Sequence, residues 1–152
     1  MKTVCIALDA SPSAEKIAKQ GFDYAKAINA EIILIHVTYD TAFYTYDYDP
    51  IMGYNGFLIQ NSVMLEKDLQ HEAELFLKST ATFLGHPDTK TNVLIGVDAG
   101  HEILSFLENN KIDILVMGTH SHSILENVLL GNTATKIIKH SKIPTLVIPV
   151  KD

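Results

Sequence analysis

The chain alternates short apolar runs with longer amphipathic stretches along its whole length. The apolar runs are rich in β-branched residues and do not alternate with polar ones, which is typical of strands that a parallel sheet buries on both faces. We therefore predict five strands, at residues 4–8, 31–37, 92–95, 112–117 and 145–148.

The stretches between these runs carry apolar residues at helical spacing, which predicts amphipathic helices. The second helix should cover about residues 61–84 and end at Gly85, because glycine is the usual residue just beyond a helix. We predict that the first helix begins at Ser11-Pro12, the third at Ala99 after the N-cap Asp98, and the fourth at Asn132 or Thr133. The predicted inward positions are Ala14, Ile17, Ala18, Gly21, Ala25 and Ile28; Leu65, Leu69, Ala73, Phe76 and Phe83; and Ile103, Leu104 and Leu107.

Strict alternation of strands and helices predicts an α/β fold with a doubly wound, mostly parallel sheet. We expect a single domain over residues 1–152, with a Rossmann-like five-stranded sheet of order 3-2-1-4-5 and helices on both faces. Ligands of such sheets bind at the carboxyl ends of the strands, where the winding reverses. Two connections should meet there, at residues 9–12 and 118–131.

The connection at residues 118–131 is the most informative part of the chain. It opens at Gly118 and closes at Gly131, directly before a predicted helix. Such connections usually run about two to six residues, and longer ones tend to be functional. A glycine-bounded loop that leads into a helix N-terminus is also a common way to hold a phosphate group. We call residues 118–131 the candidate phosphate loop.

Charge and cysteine content exclude several classes of function. The net charge is −6 and all twelve basic residues are lysine, so nucleic acid and anionic membrane surfaces are not expected partners. Cys5 is the only cysteine and lies in an apolar run, which favours a buried core thiol. We find no signal-peptide pattern and no apolar stretch approaching the ~20 residues of a membrane span, so we expect a cytoplasmic protein.

Residues 39–58, the tyrosine-rich segment, interrupt the regular pattern. Five of the six tyrosines lie there, with three aspartates and no lysine. The segment follows the second predicted strand, so it should leave the sheet at the same edge as the candidate phosphate loop. Concentrated aromatic residues suit a lid or a protein-binding surface. The alternative is a loop that folds back over its own core.

These features together resemble the universal stress protein family over nearly the whole chain. The resemblance lies in Leu8-Asp9-Ala10-Ser11 before an alanine-rich helix, and in Ile33-Leu34-Ile35-His36-Val37. It continues in Asp113-Ile114-Leu115-Val116-Met117-Gly118, in Leu129-Leu130-Gly131, and in the ending Ile143-Pro144-Thr145-Leu146-Val147-Ile148-Pro149-Val150.

The nucleotide-binding branch of that family carries the motif Gly-x2-Gly-x9-Gly-Ser/Thr. Gly118 and Gly131 match its outer glycines, whereas Ser121 replaces the middle glycine and Asn132, followed by Thr133, replaces the hydroxyl residue. The resemblance also implies that Asp9 contacts a ribose and that the backbone near Ala7 and Val37 lines an adenine pocket. The candidate binding residues for ATP or another adenine nucleotide are Ala7, Asp9, Val37, Met117, Gly118, His120, Ser121, Gly131, Asn132 and Thr133, with Mg²⁺ as a candidate companion.

Histidines raise a further question, because His120 and His122 lie inside the candidate phosphate loop. A protonated histidine could offset phosphate charge in a chain without arginine. A zinc site is the less favoured alternative, since no second cluster with ligand spacing exists, and solvated loop histidines are the plainest reading. We interpret His36 as a hydrogen-bonded buried residue and Lys136 as part of a solvated helix face that could reach a phosphate.

Three functions therefore stay open. The first is a homodimeric stress-response regulator that binds an adenine nucleotide weakly or not at all. The resemblance implies that its final strand, residues 145–148, pairs with its twin across a two-fold axis. The second is a nucleotide-dependent switch with at most weak ATPase activity. The third is a pure interaction module that uses Tyr44, Tyr46 and Tyr48 of the tyrosine-rich segment.

Overall fold

The computed structural model describes residues 1–38, 55–119 and 130–150, with only the backbone described for residues 55–65. Its strands form one parallel sheet of order β3-β2-β1-β4-β5, which confirms the predicted doubly wound fold. The elements are β1 (Thr3–Ala7), α1 (Ala14–Ala27), β2 (Glu31–Thr38), α2 (Asn55–Phe83), β3 (Lys90–Ile95), α3 (Ala99–Asn109), β4 (Ile114–Gly118), α4 (Asn132–His140) and β5 (Thr145–Ile148).

The central strand β1 is buried on both faces. Val4 and Ile6 point into an apolar cluster with residues of α1 and α2, such as Ile17 and Leu77. Cys5 points the other way, into a second cluster with residues of α3 and α4. Helices therefore cover both faces of the sheet, which explains why the strand sequences are apolar without alternation.

Helix α1 lies unusually close to the sheet because Gly21 faces it. A Cβ atom at Gly21 would lie 2.9 Å from Ile6 Cδ1 and 3.0 Å from Val116 Cγ1. The predicted inward residues Ala14, Ile17, Ala18 and Ala25 are buried as expected. Any larger residue at position 21 would push the helix away from β1 and β4.

The predicted start of α1 is wrong. The helix begins at Ala14 with Ser13 as its N-cap residue, and Ser13 makes no side-chain capping bond. Ser11 and Pro12 precede the helix, because the Ser11 hydroxyl instead donates a 2.6 Å hydrogen bond to Asp9 Oδ1. A local side-chain hydrogen bond at the end of β1 therefore competes with the capping preference of Ser11.

Helix α2 also differs from its prediction. It begins at Asn55, earlier than Asn61, so the end of the predicted tyrosine-rich loop (residues 55–58) is helical. Phe83 is 54% exposed and not part of the core, since the buried stripe runs through Ala73, Leu77 and Ala81 at four-residue spacing. The predicted stop is right: Gly85 follows the helix with φ of +74°. The rest of the tyrosine-rich segment, residues 39–54, lies outside the described residues.

Cys5 is the buried core thiol that its apolar setting predicts. Burial raises its pKa to about 12, so the folded protein holds the thiol neutral. The folded-state pKa lies above the unfolded value of about 8.5, so the contribution of the neutral thiol to the free energy of unfolding is fully present below about pH 8.5. This contribution is lost as the pH rises toward the folded-state pKa.

We predict a pH-dependent stability difference between the parent protein and Cys5→Ala. The parent should lose about 1.4 kcal/mol per pH unit relative to the variant above about pH 9, because only the parent's unfolded chain gains from thiol ionisation. Urea unfolding at pH 7, 9, 10 and 11 would measure this. Parallel pH profiles for the two proteins would contradict a buried neutral thiol.

Candidate functional site

A cleft of about 820 Å³ opens at the carboxyl edge of the sheet, where the winding reverses. Its floor is formed by the ends of β1, β2 and β4, and its walls by α2 and the first turns of α3 and α4. The reversal lies between β2 and β4, on either side of β1, which is where this fold class binds ligands.

Most of the candidate nucleotide-binding residues named from the sequence lie together in this cleft. Ala7, Asp9, Val37, Met117, Gly118, Asn132 and Thr133 all line it. Gly131 is the N-cap residue of α4, directly before two of these lining residues. His120 and Ser121 lie outside the described residues, as does His122.

Asp9 is held in place from one side only. Its Oδ1 accepts a hydrogen bond from the Ser11 hydroxyl at 2.6 Å, and the Ser13 hydroxyl lies 2.9 Å from that of Ser11. Because the single Ser11 hydrogen goes to the carboxylate, Ser13 donates to Ser11. Asp9 Oδ2 is buried and has no hydrogen-bond partner among the described residues. Such an oxygen costs about 1–3 kcal/mol unless a donor reaches it.

His36 contributes to the cleft in a way that sequence reasoning missed. Its Nδ1–H donates to the Leu8 carbonyl oxygen at 2.8 Å, and its ring packs edge-on against Phe76 with centroids 5.3 Å apart. The residue is hydrogen-bonded as predicted, but it is half-buried and lines the cleft. The hydrogen bond fixes the proton on Nδ1, so neutral His36 presents Nε2 as an acceptor.

The two ends of the candidate phosphate loop are joined directly. The Gly131 N–H donates to the Thr119 carbonyl oxygen at 2.8 Å, and the Thr119 N–H donates to the Ile148 carbonyl oxygen at 3.1 Å. These bonds place the N-terminus of α4 against the end of β4. Since glycine offers no capping side chain, the first-turn N–H groups of α4 are available to an anion in the cleft.

An ion pair spans the wall of the cleft between α3 and α4. Lys136 Nζ donates to Asp98 Oδ2, while Asp98 Oδ1 accepts from the His101 N–H at 3.1 Å and caps α3 as predicted. The hydrogen bond from Lys136 holds the pKa of Asp98 below its usual range. Lys136 is 39% exposed, as predicted for a solvated helix face, but it is also paired with Asp98, which the sequence did not indicate.

Gly100 makes this ion pair sterically feasible. A Cβ atom there would lie 2.9 Å from Lys136 Cδ, so a larger residue would require the lysine chain to shift from its present path across the start of α3. No sequence pattern near Lys136 indicated its partner, because Asp98 is 38 residues away along the chain.

Metal ligands are not gathered in the described part of the chain, where no group of three or more His, Cys, Asp or Glu side chains could hold an ion. The lining residues that the structure describes include no serine or cysteine. Their chemistry is that of a binding site, with apolar walls, one unpartnered carboxylate oxygen and a helix N-terminus.

Comparison with known proteins decides the family. The model of the universal stress protein family matches residues 1–149. The chain belongs to this family.

Relatives named as universal stress proteins match over almost the full chain. Universal stress protein MJ0531 of Methanocaldococcus jannaschii is 31% identical over 150 residues, which cover 97% of this chain and 81% of the relative. Universal stress protein A homolog 1 of Coxiella burnetii is 26% identical over 151 residues, which cover 99% of this chain and 98% of that one.

Solved structures share the fold. The hypothetical protein MJ0577 has a TM-score of 0.74 at 24% identity, covering 99% of this chain and 97% of its own. A universal stress protein in complex with cAMP has a TM-score of 0.60 at 19% identity, covering 99% and 98%. The protein from Archaeoglobus fulgidus in complex with dAMP has a TM-score of 0.60 at 14% identity, covering 97% and 98%.

Gly118 and Gly131 both stand at glycine positions of the family motif, but packing requires glycine only at position 118. A Cβ atom at Gly118 would overlap Ile17 Cδ1 and lie 3.3 Å from Val150 Cγ2, so packing of β4 against α1 requires this glycine. Gly131 has φ of −67° and ψ of 163°, an extended conformation that any residue can adopt. Among the described residues, only Gly85 is a glycine with positive φ.

We therefore predict opposite stability effects at these positions. Gly118→Ala should lower the free energy of unfolding by about 1–3 kcal/mol through overpacking. Gly131→Ser should leave it within about 0.5 kcal/mol, because serine caps helices well in this conformation. Urea unfolding without ligand would measure both. An unaffected Gly118→Ala protein would show that the contact with Ile17 relaxes freely.

Proposed function

We propose that this universal stress protein binds an adenine nucleotide in the cleft and acts as a cytoplasmic stress-response regulator, not as a catalyst. The observation that carries the proposal is the buried Asp9 Oδ2, which lacks a donor in a cleft otherwise suited to a ligand. A ribose hydroxyl is a donor of the required kind, and a carboxylate accepts from it strongly.

The rest of the cleft supplies the other contacts that a nucleotide needs. Ala7, Ile35, Val37 and Met117 give apolar walls to a flat base. The N-terminus of α4, with Asn132 and Thr133, offers backbone N–H groups to a phosphate. Related structures that hold cAMP or dAMP support this choice, since both ligands are adenine nucleotides.

A regulatory role agrees with the chemistry of the described lining residues. The single thiol of the chain is buried and has a pKa raised to about 12, so it is no nucleophile near neutral pH. The Ser11 hydroxyl is already bonded to Asp9, where it orients the carboxylate. We propose that nucleotide occupancy, and not turnover of the nucleotide, is the regulatory signal.

We predict that Asp9→Ala weakens the binding of AMP about 10- to 100-fold, because a hydrogen bond to a charged acceptor is lost. Isothermal titration calorimetry on protein stripped of co-purified nucleotide would measure the Kd. The melting temperature of Asp9→Ala without ligand should change little, because removal of the unpartnered Oδ2 offsets the loss of the hydrogen bond from Ser11 to Oδ1.

Asp23→Ala is the matched control for this experiment. Asp23 is exposed on α1 and does not line the cleft, so its removal changes the net charge equally and should leave the Kd unchanged. If Asp9→Ala binds AMP as tightly as the parent does, the assignment of the cleft as the nucleotide site is wrong.

We further propose a homodimer formed through β5. This strand is apolar along its whole length, Thr145–Ile148, and lies at one end of the sheet order. Its outer edge carries backbone groups that pair with no other strand in the described part of the chain, and such an edge attracts a second strand. A two-fold pairing of β5 with itself would satisfy both copies.

We predict that Val147→Asp shifts the parent dimer toward monomer in sedimentation velocity at micromolar concentration. Ile95→Asp, on the opposite edge strand β3, is the control and should leave the dimer intact. Circular dichroism would establish that both variants are folded. A monomeric parent, or a dimer that Val147→Asp leaves unchanged, would refute the interface.

A further inference from the structure

We propose that the Asp98–Lys136 pair and its acidic surroundings make the cleft a charge filter, which favours adenine ligands of low charge over ATP. The inference rests on the proposed nucleotide site and names the ligand class that this site selects. The favoured ligands are adenosine, AMP and cyclic adenosine monophosphate. The residue that determines the specificity is Asp98.

The side chains around the cleft carry more negative than positive charge. Asp9, Glu72 and Asp98 are carboxylates in the described lining, whereas Lys136 is the one lysine there. A triphosphate brings more negative charge into this setting than a single phosphate group does. Like charges within about one Debye length, roughly 8–10 Å, repel each other appreciably.

Lys136 is already paired, so a triphosphate has to compete with Asp98 for its ammonium group. Its ammonium group donates to Asp98 Oδ2, and the absent side chain of Gly100 lets its stem lie in that direction. Asp98 is fixed in turn by the His101 N–H, which donates to Oδ1 at 3.1 Å. The hydrogen bond from Lys136 holds the pKa of Asp98 below its usual range, so the carboxylate is ionised near neutral pH.

No other strong cation can come from the two segments that adjoin the cleft in sequence. The chain has no arginine, and Lys151 is the one lysine beyond the described residues. Residues 120–129 contain Glu126 and no lysine, while residues 39–54 contain three aspartates and no lysine.

One phosphate group still has a favourable place. The N-terminus of α4 reaches the cleft through Asn132 and Thr133, and its first-turn N–H groups carry a partial positive charge equivalent to about half an elementary charge. This charge suits a monophosphate or a cyclic phosphate. Additional phosphates would extend toward carboxylates without a free ammonium group to meet them.

The test is a calorimetric titration of the parent protein with adenosine, AMP, cAMP and ATP at pH 7.5, low salt and excess EDTA. We expect ATP to bind roughly tenfold more weakly than AMP, and this gap to shrink in 0.5 M NaCl because salt screens the repulsion. ATP binding as tight as AMP binding in the parent would overturn the filter.

Asp98→Asn isolates the contribution of the pair. Asparagine caps helices as well as aspartate does, so the fold should be retained while one negative charge is removed and Lys136 is released. We expect the Kd of ATP to fall about fivefold and that of uncharged adenosine to change less than twofold. An unchanged ratio of the ATP and AMP Kd values would overturn the role of Asp98.

Glu108→Gln provides a closely matched control. Glu108 lies at the far end of α3, and its ion pair with Lys142 has a length of 2.8 Å and stands away from the cleft. This variant removes the same charge and should leave every Kd unchanged. If neither adenosine, AMP nor cAMP binds the parent, the proposed nucleotide site itself fails. If they bind and ATP binds equally well, only the filter fails.

Discussion

Burial of β1 on both faces is the constraint on which the rest of the structure depends. The strand contributes Val4 and Ile6 to one apolar cluster and Cys5 to the other, so helices must cover both sides of the sheet. Helix α1 lies close to the sheet at positions where glycine has no side chain. Gly21 brings α1 against Ile6 and Val116, and Gly118 leaves space for Ile17. Two glycines that could be taken for flexible points are therefore packing residues.

The same constraint creates the cleft. Because β1 pairs with β2 on one side and β4 on the other, the connections that leave their carboxyl ends diverge and leave a gap above the central strand. Polar groups at this edge are mostly satisfied within the protein: the Leu8 N–H donates to the Ile35 carbonyl oxygen at 2.9 Å, and the Leu8 carbonyl oxygen accepts from His36. Among the described residues, Asp9 Oδ2 is the buried side-chain oxygen without a partner, and such a group calls for an explanation such as a ligand.

Different parts of the cleft suit the base and the phosphate of the proposed ligand. The apolar lining and Asp9 suit a nucleoside, and they belong to strands that the core fixes rigidly. Under the proposed function, a phosphate group would be bound by backbone N–H groups at α4, since the lysine in the described lining is paired with Asp98. We expect the affinity of such a site to depend mainly on the nucleoside part of the ligand and less on the number of its phosphates.

Sequence alone determined the order of elements, the parallel sheet and most of the residues at its carboxyl edge. The apolar runs predicted the strands because a strand buried on both faces consists of apolar residues. Capping preferences correctly assigned Asp98 and Gly85 to helix ends. Topology placed the connections at residues 9–12 and 118–131 at one edge, because parallel strands of this fold end there. The family resemblance implied Ala7, Asp9 and Val37, and all three line the cleft.

Tertiary structure alone decided which groups at that edge are partnered. Lys136 is exposed as predicted, yet it pairs with a carboxylate that is 38 residues distant in the chain. Phe83 had the right spacing for the core but lies beside the buried stripe of α2. Hydrophobic periodicity reports which side of an element is buried, whereas hydrogen bonds and ion pairs depend on distances that only packing fixes.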